Sequence, residues 1–504
     1  MLIRKNYFIK VSGIALFAIA VISAGGCKKS FLNPPVQGAL PASQLYKNAT
    51  GAAEGINAIY AELGAYANTA FPALAIESMG GDEVQKGSTP GDSPNMGLYH
   101  TFQQTGAESG FDDSFWAGQY ASISLCNQAI DSIPLINMDA SLRARYVAEA
   151  QFVRAYNYFR LARAYGNVPL RLHYPKTAAD FNIPQTPRAQ VYAQVEADLT
   201  AAAAVLPATY SGLDVGRATK GAAWALHAKV AMYETPTNPA KWSDVLTYTN
   251  DVINSGVYSL FPNFEKSFRE ENENNSEEIF EIQNANDPST PAASTSQYSQ
   301  VQGIAPTYGW GFNVPTSVLV NAFEPGDPRL AGTVLFAGSV SAEGDPIPPL
   351  GGGVVDSSYN YKSYVPFSDP ILNGNPGAGQ DVRVIRYSDV LLMNAEANNN
   401  LGNTTAALAS LEIVRARARA GNSAILPPVT TSDKTQLELA IWHERQVELA
   451  MESDRFFDVI RQGRGPALFG NRGFKAGKNE LQPIPTSEIV LSGGLIKQNP
   501  GYPN

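Results

Sequence analysis

The sequence predicts a mainly α fold, a tetratricopeptide-like helical scaffold that carries one loop-rich, irregular insertion. Three observations point there. Apolar residues recur at three- and four-residue steps along much of residues 50–254 and again along 387–464. Between residues 187 and 254 the helical segments follow one another with short connections, as in stacked helix pairs, although no clean repeat of about 34 residues is visible. Between 262 and 380 this periodicity gives way to acidic, Asn-rich and Gly/Pro-rich sequence.

The segments from residue 31 onward support this reading in turn. Residues 31–45, FLNPPVQGALPASQL, read as an extended, Pro-rich strap. A helix is expected from Thr50 to Tyr66, where Ile56, Ile59, Tyr60 and Leu63 share a face, and another from Phe115 to Ile133, ended by Pro134. The clearest helix is Ser141 to Tyr165, with Phe152, Tyr156 and Phe159 on one face and Gly166 as its stop. Three more follow: Pro187 to Leu206, with Thr186 as N-cap and Pro187 in the first helical position, then Thr219 to Tyr233 and Trp242 to Asn254. The insertion offers only a short candidate near Pro315 to Phe323. Helices return at Tyr387 to Leu401, Thr404 to Ala420 and, as one long amphipathic element, Ser432 to Arg464. The tail from Leu481 is irregular.

Composition limits what such a chain does. With 44% hydrophobic residues in 504, there is ample material for a buried core, and disorder is excluded. The length is roughly three domains' worth by a prior of about 150 residues each. It reads here as one intertwined unit, residues 27–504, with a helical scaffold (27–261), a loop-rich region (262–380) and C-terminal helices and tail (381–504). The formal net charge is −9; without residues 1–26, which hold Arg4, Lys5 and Lys10 and no acid, it is −12. That balance disfavours nucleic acid, whose binding runs on Lys and Arg. Two cysteines, Cys27 and Cys126, exclude a disulfide framework and a Cys-rich metal site.

Residues 1–26 read as a signal peptide. A basic start precedes an apolar run, Ile14 to Ile22, that is too short for a permanent membrane span. Ser23, Ala24, Gly25 and Gly26 before Cys27 resemble a bacterial lipobox, in which the cysteine is acylated, although Ala24 stands where Leu is usual; the other reading is an ordinary signal peptide with an incidental cysteine. Cys126 lies on a helical apolar face and reads as a small buried hydrophobe.

Catalytic signatures are missing. There is no GxSxG, GxGxxG, CxxC or HExxH, and GFKAGK at 473–478 is a residue short of a phosphate loop. His100, His173, His227 and His443 share no ligand spacing, so neither a metal nor a cofactor is expected. The adjacent acids Asp82-Glu83, Asp112-Asp113 and Glu277-Glu278 read as solvated turns or helix starts, or as a carboxylate pair of the glycosidase kind, which needs no local motif. What remains is the profile of a binding protein. Trp116, Trp224, Trp242 and Trp442 lie in helical patterns and are expected in the core. Trp310, in TYGWGFNVPT between Gly309 and Gly311 with Tyr308 beside it, is either a ring displayed for stacking or a loop anchor.

Four segments together resemble the SusD/RagB family, the surface lipoproteins of Bacteroidetes nutrient uptake. They are FVRAYNYFRLARAYGNVPL (152–170), IRYSDVLLMNAEANNNLGN (385–403), ERQVELAMESDRFFDVIRQGR (444–464) and LQPIPTSEIVLSGGLIKQNPGY (481–502); FEPGDPRL (323–330) also looks like the family. The resemblance implies a tetratricopeptide-like scaffold and no enzymatic activity. It implies oligosaccharide binding at the outer membrane through a lipid anchor at Cys27, and a complex with a SusC-like TonB-dependent transporter. It also implies that ligand residues come from variable loops. On that basis Asp82 and Glu83 resemble an acidic ligand-contacting loop, Trp310 and Tyr308 lie where a stacking ring is often found, and Tyr99 is added as an aromatic after a Gly/Pro-rich loop. The acidic chain points to a neutral glycan. One departure is that Lys28 and Lys29 follow Cys27, where surface-exported lipoproteins of these bacteria tend to be acidic. Two alternatives stay open, a peptide-binding member of the same family and a surface glycoside hydrolase.

Overall fold

Helix starts and stops follow local chemistry. In the computed structural model, which describes residues 42–503 apart from 108–109, 178–179, 286–294, 308 and 369–377, α1 (Ala49–Leu63) begins at Asn48, whose Oδ1 accepts the Gly51 amide at 3.0 Å. Such an acceptor satisfies one of the amides that a helix start leaves open. α2 (Phe71–Glu77) places Pro72 in its first turn, where a missing N–H costs nothing. After α3 (Phe111–Ser132), α4 (Ala140–Tyr165) is capped by Asp139, which accepts the Leu142 amide at 2.8 Å, and ends on Gly166 at φ +75°. α5 (Arg188–Val205) starts a residue later than expected, because the Thr186 N–H is drawn into a bridge to the Val168 carbonyl at 2.9 Å and Pro187 becomes the cap. α6 (Lys220–Glu234), capped by Thr219, and α7 (Trp242–Asn254) follow.

These helices form a stack in which each element packs on its chain neighbour, from α3 on α4 through to α6 on α7. The stack crosses the insertion without interruption, since α7 packs directly on α8 (Tyr387–Asn400), which pairs with α9 (Thr404–Ala418). α4 is its spine, burying Phe152, Tyr158, Phe159 and Tyr165 almost completely. Three of its arginines are buried too and are therefore paired. Arg154 forks onto Asp198 with two 2.8 Å bonds, and Arg160 and Arg163 share Glu77. Cys126 is fully buried, and burial pushes its thiol pKa far up.

The insertion contributes strands to three two-stranded antiparallel ribbons: β3 (Phe312–Pro315) pairs with β1 (Val84–Gly87) from the helical scaffold, β2 (Glu278–Ile282) with β6 (Val382–Arg386) just beyond the insertion, and β4 (Val334–Phe336) with β5 (Ser358–Asn360). It has a small core of its own, including Ile304, Val314, Leu335 and Tyr359. Residues 46–504 form one compact unit; of residues 1–45 only the helical turn Ala42–Leu45 is described. Signal peptide and Cys27 lie outside the described residues.

One element differs from expectation. The long helix foreseen from Ser432 to Arg464 is two, α10 (Lys434–Glu448) and α11 (Arg455–Arg461), separated by a turn in which Met451 and Ser453 both adopt φ +66°. The cause lies far away in sequence. The Met451 amide donates to Glu83 Oε1 at 3.0 Å, and the α10 end carbonyl of Glu448 accepts from Lys362 Nζ at 2.9 Å and Arg386 Nη2 at 3.0 Å. Cations at a helix C-terminus complement its dipole, so the stop is held from outside.

A candidate binding groove at Trp310

The segment from Gln300 to Gly311 doubles back on itself tightly enough to need glycine. A Cβ on Gly309 would lie 2.4 Å from the Gly303 Cα, and one on Gly311, at φ +70°, would lie 2.9 Å from the Ala305 Cβ. Two backbone bonds close the fold, from the Trp310 N–H to the Gln300 carbonyl and from the Gly311 N–H to the Gly303 carbonyl, each 2.9 Å. Trp310 is thereby fixed at the start of β3. Its half-buried ring stacks on Phe71 at 5.5 Å and 15°; Phe71 in turn stacks on Phe111 at 6.0 Å and meets Phe312 edge-on at 4.6 Å. The platform is a short aromatic column rooted in the core, rigid and cheap in entropy to present.

This column borders a groove of about 580 Å³. Phe71, Trp310 and Phe312 give it an apolar side, and Ser88, Thr89 and Asp92 a polar wall. The wall is the loop after β1, and its shape is held by charge. Lys86 Nζ donates to the carbonyls of Thr89 (2.9 Å) and Asp92 (2.7 Å), Ser88 Oγ donates to Asp92 Oδ2 (2.7 Å), and the Ser88 amide donates to Asp356 Oδ2 (2.9 Å). An apolar shelf facing convergent polar groups is the usual form of a small-ligand site.

Of the residues singled out from sequence, the structure brings Trp310 to this groove, and Tyr308 lies outside the described residues. Asp82, Glu83 and Tyr99 do not line the groove, and each is buried within the scaffold. Asp82 forms a two-bond pair with Arg455 at 2.7 and 3.0 Å. Glu83, 1% exposed, holds the turn after α10, and burial raises its pKa to about 8. The Tyr99 hydroxyl donates to Asp112 Oδ2 at 2.6 Å, in a fully buried position. Among the helical tryptophans Trp116 is buried, while Trp224 and Trp242 are half-buried against the core and Trp442 donates its Nε1–H to Glu396 at 2.9 Å. Phe71, Ser88 and Asp92 were not foreseen as groove residues. For Ser88 and Asp92 the one sequence signal is the turn-rich GSTPGDSP at 87–94.

The geometry can be set beside known proteins. A family model described as the SusD family matches residues 276–502, and one described as "Starch-binding associating with outer membrane" matches residues 56–232. The SusD-like protein P2 of Formosa agariphila is 27% identical over 522 residues, covering 96% of this chain and 99% of its own. A SusD-like protein of Bacteroides ovatus is 23% identical, covering 89% of this chain and 82% of its own. Among solved structures, a laminarin-binding SusD-like protein superposes with a TM-score of 0.76 at 29% identity, over 91% of this chain and 100% of that one. Surface glycan-binding protein A of Bacteroides thetaiotaomicron, solved with laminarihexaose, shares the fold at a TM-score of 0.73 and 22% identity, over 90% of this chain and 100% of that one. The two family models together match residues 56–232 and 276–502, well over half of the chain, and the P2 relative aligns over 96% of it: this chain belongs to the SusD family.

Proposed function

We propose that the protein is a non-catalytic glycan-binding lipoprotein of the outer membrane, anchored by acyl chains on Cys27, facing the cell exterior, and passing its ligand to a SusC-like TonB-dependent transporter for uptake. The observation that carries this is the Trp310–Phe71 column beside a 580 Å³ groove in the fold of a laminarin-binding relative. The flat apolar face of a sugar ring stacks on such a shelf, and the hydroxyl and carboxylate groups of the facing wall suit its hydroxyls. Each adjacent acid pair that a glycosidase reading would use has a member engaged elsewhere: Asp82 is tied to Arg455, Asp112 accepts from the Tyr99 hydroxyl, and Glu277 is tied to Arg386 and Arg417.

Isothermal titration with laminarihexaose and a panel of neutral polysaccharides tests the binding. Saturable heat is expected with at least one. Trp310→Ala should lose about 1.5 to 3 kcal/mol of it, the scale of one buried large side chain; no binding across the panel overturns the reading, and an unchanged affinity in the variant removes Trp310 as its platform. Cys27→Ala should release the protein from the membrane fraction, and a barrel transporter should co-purify with the wild type from detergent extracts.

A further inference from the structure

The groove's polar wall is more fixed than a surface loop needs to be, and it is charged in one sense only. Among the described residues that line the groove, Asp92 alone carries a charge. Lys86, the nearby cation, is turned away from ligand duty: its ammonium is held by two backbone carbonyls of the loop and lies 5.2 Å from the Phe312 ring centre. It occupies the centre of the loop as a bound cation would. The Asp92 backbone is held at both ends, by Lys86 at its carbonyl and by the Thr89 carbonyl at its amide, 3.0 Å away, and one of its carboxylate oxygens is held by Ser88. Ser88 in turn hangs from Asp356, whose Oδ2 lies 3.3 Å from where a Gly311 Cβ would be. Asp356 therefore anchors the wall close beside the turn that carries Trp310.

Resting on the glycan-binding reading, we infer that Asp92 is the specificity-determining residue of the groove, accepting hydrogen bonds from ligand hydroxyls and repelling glycans that carry carboxylate or sulfate, and that Lys86 is the positioning residue that fixes it. A preformed acceptor binds a neutral polyol without paying to order itself. The same carboxylate meets an anionic ligand with no lining cation to offset it, and such a juxtaposition discriminates against the wrong partner.

The test compares laminarihexaose with the same oligomer oxidised at its primary alcohols to carboxylates, titrated into wild type, Asp92→Asn, Lys86→Met and Trp310→Ala at low and high salt. Wild type should prefer the neutral oligomer by about five-fold or more, the effect of one like-charge pair about 4 Å apart in water, and the preference should shrink with salt. Asp92→Asn should bring the ratio towards one and remove its salt dependence. Lys86→Met should weaken the neutral oligomer several-fold and enlarge the ratio, because the aspartate loses its neighbouring cation; a merely structural lysine would leave the ratio unmoved at any affinity. An unchanged ratio in Asp92→Asn overturns the inference while leaving the binding function intact. Laminarihexaose binding that is equal in wild type and Trp310→Ala would instead remove the groove itself, and no binding by wild type would remove the glycan reading and this inference with it.

Discussion

Asp82 shows how far a side chain's role depends on a partner that the local sequence does not reveal. In GDEV it reads as a solvated acid; in the structure Arg455 reaches it with two bonds, at 2.7 and 3.0 Å. Asp82→Asn should therefore cost about 3 to 5 kcal/mol, the range for leaving one half of a buried pair uncompensated, visible as a lower urea midpoint. A folded variant should keep its glycan affinity, because the residue does not line the groove. Gly311→Ala should do the converse. Its φ of +70° and the 2.9 Å approach to Ala305 put the cost at about 1 to 3 kcal/mol, and displacing Trp310 should reduce ligand affinity as well. Trp310 was legible because two glycines flank it. Phe71 was not, since a Phe before a helix-start proline reads as any core residue, and Asp92 was not, since what distinguishes it from other loop acids is the cation folded in beneath it.

At the scale of elements, the ribbon β2–β6 carries an imbalance. Arg383 faces Glu281 Oε1 at 3.1 Å, Glu278 Oε1 at 3.7 Å and Glu273 Oε1 at 3.8 Å, with Asp381 beside it, and neither carboxylate oxygen of the buried Glu278 has a hydrogen-bond partner. Burial first, and mutual repulsion second, push these acids up: Glu273 to about 8, Asp381 to about 9, and Glu278 well above its ordinary value. Acids whose pKa is raised by folding bind more protons folded than unfolded. Their stabilising share is thus complete below the ordinary value near 4 and is lost as pH climbs through 8 to 9. Hydrogen exchange, corrected for its intrinsic pH dependence, should show Glu278–Ile282 and Val382–Arg386 opening more readily at pH 9 than at pH 6. Glu278→Gln should flatten that dependence. Helix positions were readable because a 3.6-residue period is a local signal. The break between α10 and α11 was not, because Glu83 and Lys362, hundreds of residues away or on another element, impose it.

For the whole molecule, the decisive feature is the charged seam that fastens the insertion to the C-terminal helices. Arg329 binds Glu444 at 2.6 Å and Glu448 at 3.1 Å, Arg386 and Arg417 both reach Glu277 and Glu448, and Lys362 binds Glu452 at 2.7 Å. Read along the sequence, ERQVELAMESDRFF is part of one long amphipathic helix; in the structure most of its acids serve cations of other elements. The surrounding cations hold Glu448 far below the ordinary carboxylate range and lower Glu452 as well. A depressed pKa contributes stability above the ordinary value of 4.5 and loses it as pH falls below that, so acid should unfold insertion and helices in one transition. Glu448→Gln, by stranding three buried arginines, should lower the unfolding midpoint in urea by several kcal/mol worth of stability, with tryptophan fluorescence and far-UV dichroism still coincident.

The direct packing of α7 on α8 has a consequence for descent and for engineering. Since the stack closes behind the insertion, the 255–386 segment behaves as an exchangeable cassette whose ends already meet on a finished surface. Its loops are free to drift in length and chemistry, and ligand choice with them, provided that a graft keeps the few charges that mate with the C-terminal helices: Glu277, Arg329, Lys362 and Arg386. A chimera that takes this cassette together with the 88–93 loop from a relative and retains those four side chains should fold and carry the donor's ligand preference, whereas one that loses them should fail to fold however well its groove is built.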